Sequence, residues 1–246
     1  MTIHTVLTLS ALLVGLSSLL TWSEFRYLGF ERRVRPDPCW TGSTYTLSAF
    51  TTQILPLALV LLCWLPPARA IITIALALQA ARFCSSVDFG REGSDEIALV
   101  VLVPLAIACA SPSLTVTKGA LVFIAAQLVL SYLAAAWSKL AGPKWRSGVA
   151  VPQILSTSDY GLGIRELHDD NRLILRSLSW LTIAAEILIP VWLILGGPFT
   201  IPALAMGAFF HVTVAVMMGL NRFVPWFATT YPAALWVSVT FGVLSR

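Results

Sequence analysis

Long apolar segments separated by short polar loops dominate this chain, and they restrict its fold more than any other feature. Of the 246 residues, 57% are hydrophobic and only 11% are charged, and the mean hydropathy is +0.82. An average soluble domain carries about 25% charged residues, so lipid must act as the solvent for most of this chain. Composition therefore predicts a multi-pass protein of the cell membrane whose first partner is the lipid bilayer.

Eight segments approach the length of about 20 apolar residues that crosses the hydrocarbon core. Helix breakers fall between them, at Pro66 and Pro67 and at residues 111–112 and 196–198, and no alternation typical of strands competes with the helical pattern. We predict an all-α fold, a single bundle of about eight transmembrane helices that forms one domain over residues 1–246. The third and fourth segments are short, so a count of seven stays open. The predicted spans are residues 3–22, 47–66, 69–84, 96–111, 117–139, 174–195, 201–220 and 224–243.

The 16 Lys and Arg residues are distributed unevenly along the chain. Apart from Arg69, Lys118 and Arg246, they lie in or beside the loops after the first, third, fifth and seventh spans. The positive-inside rule would place that face in the cytoplasm. The same loops hold nearly all of the acidic residues, and cations that bind an anionic substrate would bias the count. The orientation of the chain in the membrane therefore stays open.

Several other kinds of chemistry find little support in the sequence. Cys63 and Cys109 lie inside spans and are interpreted as packing residues, whereas a disulfide between Cys39 and Cys84 on the charged face stays open. There is no CxxC pair of the kind used in thiol oxidation. The spacing around His168 is typical of a loop, so no metal site is predicted. No signature of nucleic-acid binding or of a phosphate-binding glycine loop is present.

Two ionisable residues lie inside predicted spans, at the same distance from the turn that joins those spans. Glu186 precedes the turn GGPFTIP and His211 follows it by nearly the same number of residues, so both lie roughly 18–20 Å from the turn. A carboxylate that faces lipid would cost several kcal/mol. We therefore expect both side chains to face the bundle interior and to make a direct or water-bridged contact. The contact is either a structural helix-to-helix hydrogen bond, or an acid and base pair or polar anchor for a ligand.

The segment from Tyr132 to Gly148 places a lysine at the end of an apolar helix. Tyr132 and Lys139 are two helical turns apart and share a face with alanines, and the simplest alternative is a lysine that extends to the water interface. Glu186 lies roughly 15 Å deeper than the charged face, which leaves room for a flat organic ligand between it and Lys139. We expect an elongated apolar cavity there. The expected lining residues are Tyr132, Trp137, Lys139, Trp180, Glu186, Phe210 and His211.

The segment YLAAAWSKL, followed by Trp145, Gly148, the intramembrane Glu186 and FFHVTVAVMMGLNRF, resembles the horizontally transferred transmembrane (HTTM) family. These proteins are bacterial relatives of the vitamin K-dependent γ-glutamyl carboxylase. The resemblance covers roughly residues 130–235, and Ser138 departs from it because the carboxylase has paired lysines there. It implies that Lys139 corresponds to the lysine that deprotonates reduced vitamin K and His211 to a helix histidine near the active site. The chain is also similar in size to the membrane component that matures a sporulation-delaying peptide toxin.

The resemblance implies an integral-membrane, carboxylase-like enzyme that uses a reduced quinone and oxygen to modify a small secreted peptide. The implied catalytic residues are Lys139 as base, with His211 and Glu186. The implied cofactor is vitamin K hydroquinone or menaquinol, bound by Tyr132, Trp137, Trp180 and Phe210, without a metal. Two alternatives stay open: a non-enzymatic maturation or immunity factor for a secreted peptide toxin, and a proton-coupled carrier built around the intramembrane acid and histidine.

Overall fold

A computed structural model describes residues 1–27, 43–86, 93–156 and 172–245. Within these ranges all regular structure is helical and no strand is found, so the predicted all-α class is confirmed. The helices are α1 (Ile3–Tyr27), α2 (Ser43–Leu62), α3 (Pro66–Ser86), α4 (Gly93–Ala110), α5 (Leu114–Ala141), α6 (Pro143–Ser147), α7 (Ala150–Leu155), α8 (Arg172–Leu195), α9 (Thr200–Met218), α10 (Phe223–Ala228) and α11 (Tyr231–Phe241).

Six of the described helices are long and apolar enough to cross a membrane, namely α1, α3, α4, α5, α8 and α9. The chain is therefore a multi-pass membrane protein by the length and composition of its helices. The predicted count of eight spans is not confirmed. The apolar part of α2 for which side chains are described, Gln53–Leu62, is shorter than a span, and the predicted last span is divided into α10 and α11.

The division between α10 and α11 has a local cause in two threonines and a proline. The hydroxyls of Thr229 and Thr230 each donate a 2.6 Å hydrogen bond to a carbonyl three residues earlier, at the end of α10, where they compete with continued helical pairing. Pro232, at the second position of α11, lacks an N–H donor and therefore cannot continue the hydrogen bonding of α10 into α11. The hydropathy of residues 224–243 predicted one span because it does not register such breaks.

The chain divides into two compact units. The first comprises Met1–Ile124 with Pro225–Ala233, and the second comprises Ala125–Val224 with Ala234–Arg246. The prediction that residues 1–246 form one domain stays a prediction.

In the first unit, polar side chains tie the helices together. Arg69 at the start of α3 is buried, and its Nη1 donates to Thr8 Oγ1 of α1 at 2.9 Å and to the Cys63 carbonyl, just after α2, at 3.4 Å. Trp226 Nε1 of α10 donates to Thr21 Oγ1 of α1 at 2.9 Å. These bonds give buried donors their partners, which an apolar environment requires.

In the second unit, the predicted hairpin is found, with α8 and α9 joined by a tight turn at Gly197–Phe199. The buried residues of α8 recur at spacings of three and four, so one face of the helix is directed inward. Glu186 lies on that face. The chain after α11 is bonded to the end of α8, since the amide of Leu244 donates to the Leu195 carbonyl at 2.7 Å. The buried faces of the second unit are Leu175, Ser179, Ile183, Glu186, Ile189, Pro190 and Leu193 on α8 and Thr200, Ala203, Gly207, His211 and Ala215 on α9.

The turn of this hairpin depends on Gly196. Its φ is +71° and its ψ −156°, a region open essentially to glycine alone, and an added Cβ would press against the Ser238 carbonyl oxygen. We expect Gly196→Ala to lower the free energy of unfolding by about 3 kcal/mol or more. Thermal unfolding in detergent micelles measures the loss. Gly119→Ala in α5 is the matched control, because its Cβ would meet no atom within 4 Å and helix propensity favours alanine. Equal stability of the two variants would contradict this account of the turn.

Candidate functional site

Helix α5 carries two polar side chains on its inner face. Tyr132 is 3% exposed, and Lys139, two turns further along, retains 17% side-chain exposure. Leu128 and Ala136 are buried on the same face, as the spacing of three and four residues requires. The prediction that Tyr132 and Lys139 share a face is therefore confirmed, and each of them reaches a different helix of the second unit.

Lys139 forms an ion pair with Glu186 of α8. Lys139 Nζ donates to Glu186 Oε1 at 2.6 Å, and the glutamate side chain is only 3% exposed. So short a contact is typical of a charge-assisted hydrogen bond. The other carboxylate oxygen, Oε2, is buried and has no hydrogen-bond partner among the described residues. The pair thus presents one acceptor atom that could bind a further hydrogen-bond donor.

The Lys139 side chain has a second neighbour in Trp145 of α6. Its ammonium nitrogen lies 5.1 Å from the centroid of the indole ring, within the range of a cation–π interaction. The lysine is therefore held from two directions, by a carboxylate and by an aromatic face. The simplest alternative, a lysine extended freely to the water interface, is wrong.

Tyr132 pairs with His211 of α9. The phenol oxygen and His211 Nε2 share a 2.9 Å hydrogen bond, whose donor depends on the imidazole tautomer. His211 is 4% exposed, and aromatic rings surround it. Phe223 stacks on the imidazole with centroids 6.4 Å apart, and Phe210 meets it edge-on at 5.5 Å. Phe210 also contacts the Tyr132 ring edge-on at 6.3 Å.

The direct form of the predicted contact between Glu186 and His211 is wrong, and the water-bridged form stays a prediction. Both side chains face inward, as expected, but in the described part of the chain Glu186 is hydrogen-bonded to Lys139 and His211 to Tyr132. The equal depth of the two residues reflects the α8–α9 hairpin alone. Helix α5 supplies a polar partner to each, so neither has to pair with the other.

The predicted gap between Lys139 and Glu186 is also absent, since the two side chains are in contact. The predicted gap requires α5 to end, and α8 to begin, at the same face of the membrane. Instead α5 ends at Ala141, just after Lys139, while α8 extends well before Glu186. The chain returns alongside α8 through α6, and a Cβ on Gly148 would lie 2.7 Å from the Arg176 backbone. Along the helix axis, Glu186 lies about 15 Å from Arg176 and about 21 Å from the start of α8 at Arg172.

Two of the expected cavity residues face outward. Trp137 is 74% exposed and Trp180 is 42% exposed, so neither lines an interior cavity. Trp137 follows Tyr132 by five residues, which turns it away from the inner face of α5, and Trp180 directly follows the buried Ser179. Tyr132 and Phe210, by contrast, lie beside His211 as described above. The predicted cavity lining is corrected for the two tryptophans.

An open, shallow groove of about 530 Å³ lies beside the ion pair, in the segment that follows α5. The groove was not predicted, although its residues contain a local signal. Pro143 stands at the first position of α6, and Gly148, with φ +84°, ends it, which is the usual arrangement of proline and glycine around a short helix. The lining residues are Gly142, Pro143, Lys144, Trp145, Ala150, Gln153 and Ile154.

In the described ranges, no group of three or more His, Cys, Asp or Glu residues is arranged to hold a metal ion. His168 lies outside those ranges, and so does Cys39, so the question of a Cys39–Cys84 disulfide stays open.

Comparison with known proteins identifies no family for this chain. No family model matches the chain, and no curated protein or solved structure matches it either. The resemblance to the horizontally transferred transmembrane family therefore stays a prediction. This multi-pass membrane protein holds a partly buried Lys–Glu ion pair and a buried Tyr–His hydrogen bond on one face of α5.

Proposed function

We propose that the protein is an integral-membrane enzyme of the cell membrane that resembles the vitamin K-dependent carboxylase core, with Lys139 as its base. The observation that carries the proposal is the ion pair between Lys139 and Glu186, in which one buried carboxylate oxygen has no hydrogen-bond partner among the described residues. An intramembrane ionisable residue is costly to bury and usually serves a function. A buried ion pair adds little net stability, because desolvation offsets the Coulomb attraction, which favours a chemical role for this one.

The geometry determines how Lys139 can act as a base. In an ion pair the lysine is an ammonium and cannot accept a proton. It becomes a neutral amine only by passing a proton to Glu186, whose Oε1 is 2.6 Å away. After the amine accepts a proton from a ligand, the pair consists of an ammonium and a carboxylic acid. Glu186 is therefore as necessary to this chemistry as Lys139, because it holds the proton that the lysine gives up.

The residues around the pair fit a reduced quinone such as vitamin K hydroquinone or menaquinol. Glu186 Oε2 is an acceptor suited to a ring hydroxyl, since it has no hydrogen-bond partner among the described residues. Trp145 provides aromatic surface beside the pair, with its ring centroid 5.1 Å from Lys139 Nζ. A bound reduced quinone would supply, together with oxygen, the strong base needed to remove a proton from glutamate in a peptide. The roles of the protein are to accept the first proton and to keep the site dry.

The same ion pair also supports the second candidate, a maturation or immunity factor without catalytic activity. In that case the contact between Lys139 and Glu186 would only connect α5 to α8, as polar pairs connect helices in many membrane proteins. The two functions differ in whether the lysine must lose a proton.

The proposed activity is tested with the purified protein in lipid nanodiscs. Menaquinol or vitamin K hydroquinone is supplied with oxygen, bicarbonate and a small secreted peptide encoded beside the gene for this protein. We expect oxygen-dependent loss of the quinol, and a glutamate of the peptide should gain the mass of one carbon dioxide in mass spectrometry. Quinol loss no faster than in empty nanodiscs, with the peptide mass unchanged, would contradict the proposal and favour the non-catalytic factor.

A further inference from the structure

The groove formed by α6 and α7 is more than an accidental depression, because its walls have a consistent chemistry. Pro143, Ala150, Ile154 and the Trp145 ring are apolar, and the polar side chains are those of Lys144 and Gln153. Its volume of about 530 Å³ falls within the range of about 300–1,000 Å³ typical of small-molecule sites, which are mostly apolar with a few polar groups.

Trp145 belongs both to this groove and to the surroundings of the ion pair. The indole lines the groove, and its centroid is 5.1 Å from Lys139 Nζ. Gly142, another lining residue, packs against the Trp145 ring and the Lys139 backbone. A Cβ at this position would lie 3.4 Å from the ring and 3.5 Å from the Lys139 carbonyl oxygen. A molecule that stacks on the indole is therefore separated from Lys139, the proposed base, only by the Trp145 ring.

The position of the groove indicates where its occupant comes from. The groove begins directly after the spanning helix α5 ends at Ala141. Tryptophan is enriched at such ends, where its ring lies between lipid and water. A lipid-soluble ring compound would reach this place from the bilayer. A small soluble anion would meet mainly apolar walls, with Lys144 as the only cation among the lining residues that the structure describes.

We infer that the α6–α7 groove is the docking site for the ring of a lipid-soluble quinol, which stacks on Trp145 beside the Lys139–Glu186 pair. This inference rests on the proposed function, since it assigns the quinol a place on the protein. Flat rings stack favourably in an offset arrangement on an indole. The groove takes the place of the interior cavity that the sequence predicted, whose tryptophans face outward.

Binding can be measured without catalysis, by using oxidised menaquinone and the protein in nanodiscs. Quenching of tryptophan fluorescence gives Kd, and a photoreactive naphthoquinone followed by peptide mapping gives the place of binding. We expect labelling within residues 142–154. Trp145→Ala should raise Kd by about ten-fold and Trp145→Phe by much less, because phenylalanine retains a stacking surface. Ile154→Trp, which fills the groove and leaves Trp145 in place, should also weaken binding.

Trp137→Ala is the matched control, because this tryptophan is on α5 but 74% exposed. It should leave Kd unchanged. A Kd unaffected by both Trp145→Ala and Ile154→Trp, or a label outside the groove, would overturn the inference and leave the proposed function standing. Labelling of the groove by a photoreactive phospholipid that menaquinone does not displace would identify an acyl chain as the occupant, and would overturn it as well. Complete absence of menaquinone binding would refute the proposed function together with the inference.

Discussion

Lys139→Met is expected to lower the free energy of unfolding by about 3–5 kcal/mol, the usual effect of removing one partner from a buried ion pair. Glu186, whose side chain is 3% exposed, would then be either an unpaired carboxylate in the interior of the second unit or a carboxylic acid that has taken up a proton, and both states cost free energy. Its other oxygen, Oε2, has no hydrogen-bond partner among the described residues that could compensate for the loss. Reversible unfolding in mixed detergent micelles measures the difference from the unmodified protein.

The double variant Lys139→Met with Glu186→Gln should recover most of that stability. An amide in place of the carboxylate removes the unpaired charge, and an unpaired buried amide costs less free energy than an unpaired buried charge. The two changes must therefore be strongly non-additive, as they are for residues in direct contact. A double variant whose loss equals the sum of the single losses would show that the 2.6 Å contact is not the main partner of either group.

Glu186→Gln alone should destabilise the protein less than Lys139→Met. The lysine retains 17% side-chain exposure and stands two residues from the end of α5, so its long side chain can redirect its charge toward water. Because Lys139 neutralises the carboxylate of Glu186, we expect a Lys139→Ala variant to change stability and activity at once.

The inward direction of Glu186 and His211 was predictable because the reason is general. Hydrocarbon offers polar groups no partner, so both must face protein. The hydrogen-bond partners of Glu186 and His211 were not predictable in the same way, because they depend on where α5 ends relative to α8 and α9. Nothing in the apolar run before Lys139 indicates that α5 ends so far along α8 that the lysine meets Glu186 and Tyr132 meets His211.

Sequence composition also does not show which way a side chain faces or where a helix breaks. This is why the predicted cavity lining and the last predicted span differ from the structure. Aromatic residues in an apolar chain can face either lipid or protein, and composition does not separate Trp137, which is exposed, from Tyr132, which is buried. The helical period does separate them, because five residues turn a side chain well away from the starting face. Similarly, hydropathy measures apolar length but not the break at Thr229 and Thr230.

The test that separates the proposed base from a structural pair is Lys139→Arg. Arginine keeps a positive charge and can donate to Glu186 Oε1 as the lysine does, so folding and stability should be largely retained. Its guanidinium stays protonated in proteins and cannot act as a base. We therefore expect quinol-dependent activity to fall by about 10²–10⁴-fold, the usual contribution of general acid–base catalysis. The measurement is the initial rate of quinol loss in nanodiscs, at matched amounts of folded protein.

Lys118→Arg is the matched control, because Lys118 lies on the same helix with an exposed side chain, and its activity should equal that of the unmodified protein. Normal activity of Lys139→Arg would mean that position 139 serves only as the counter-charge of Glu186. Glu186→Gln then tests whether Glu186 takes part in proton transfer, since an amide cannot take up the proton that Lys139 would give up. If that variant folds and is also fully active, neither group of the pair moves a proton, and the contact between α5 and α8 is structural.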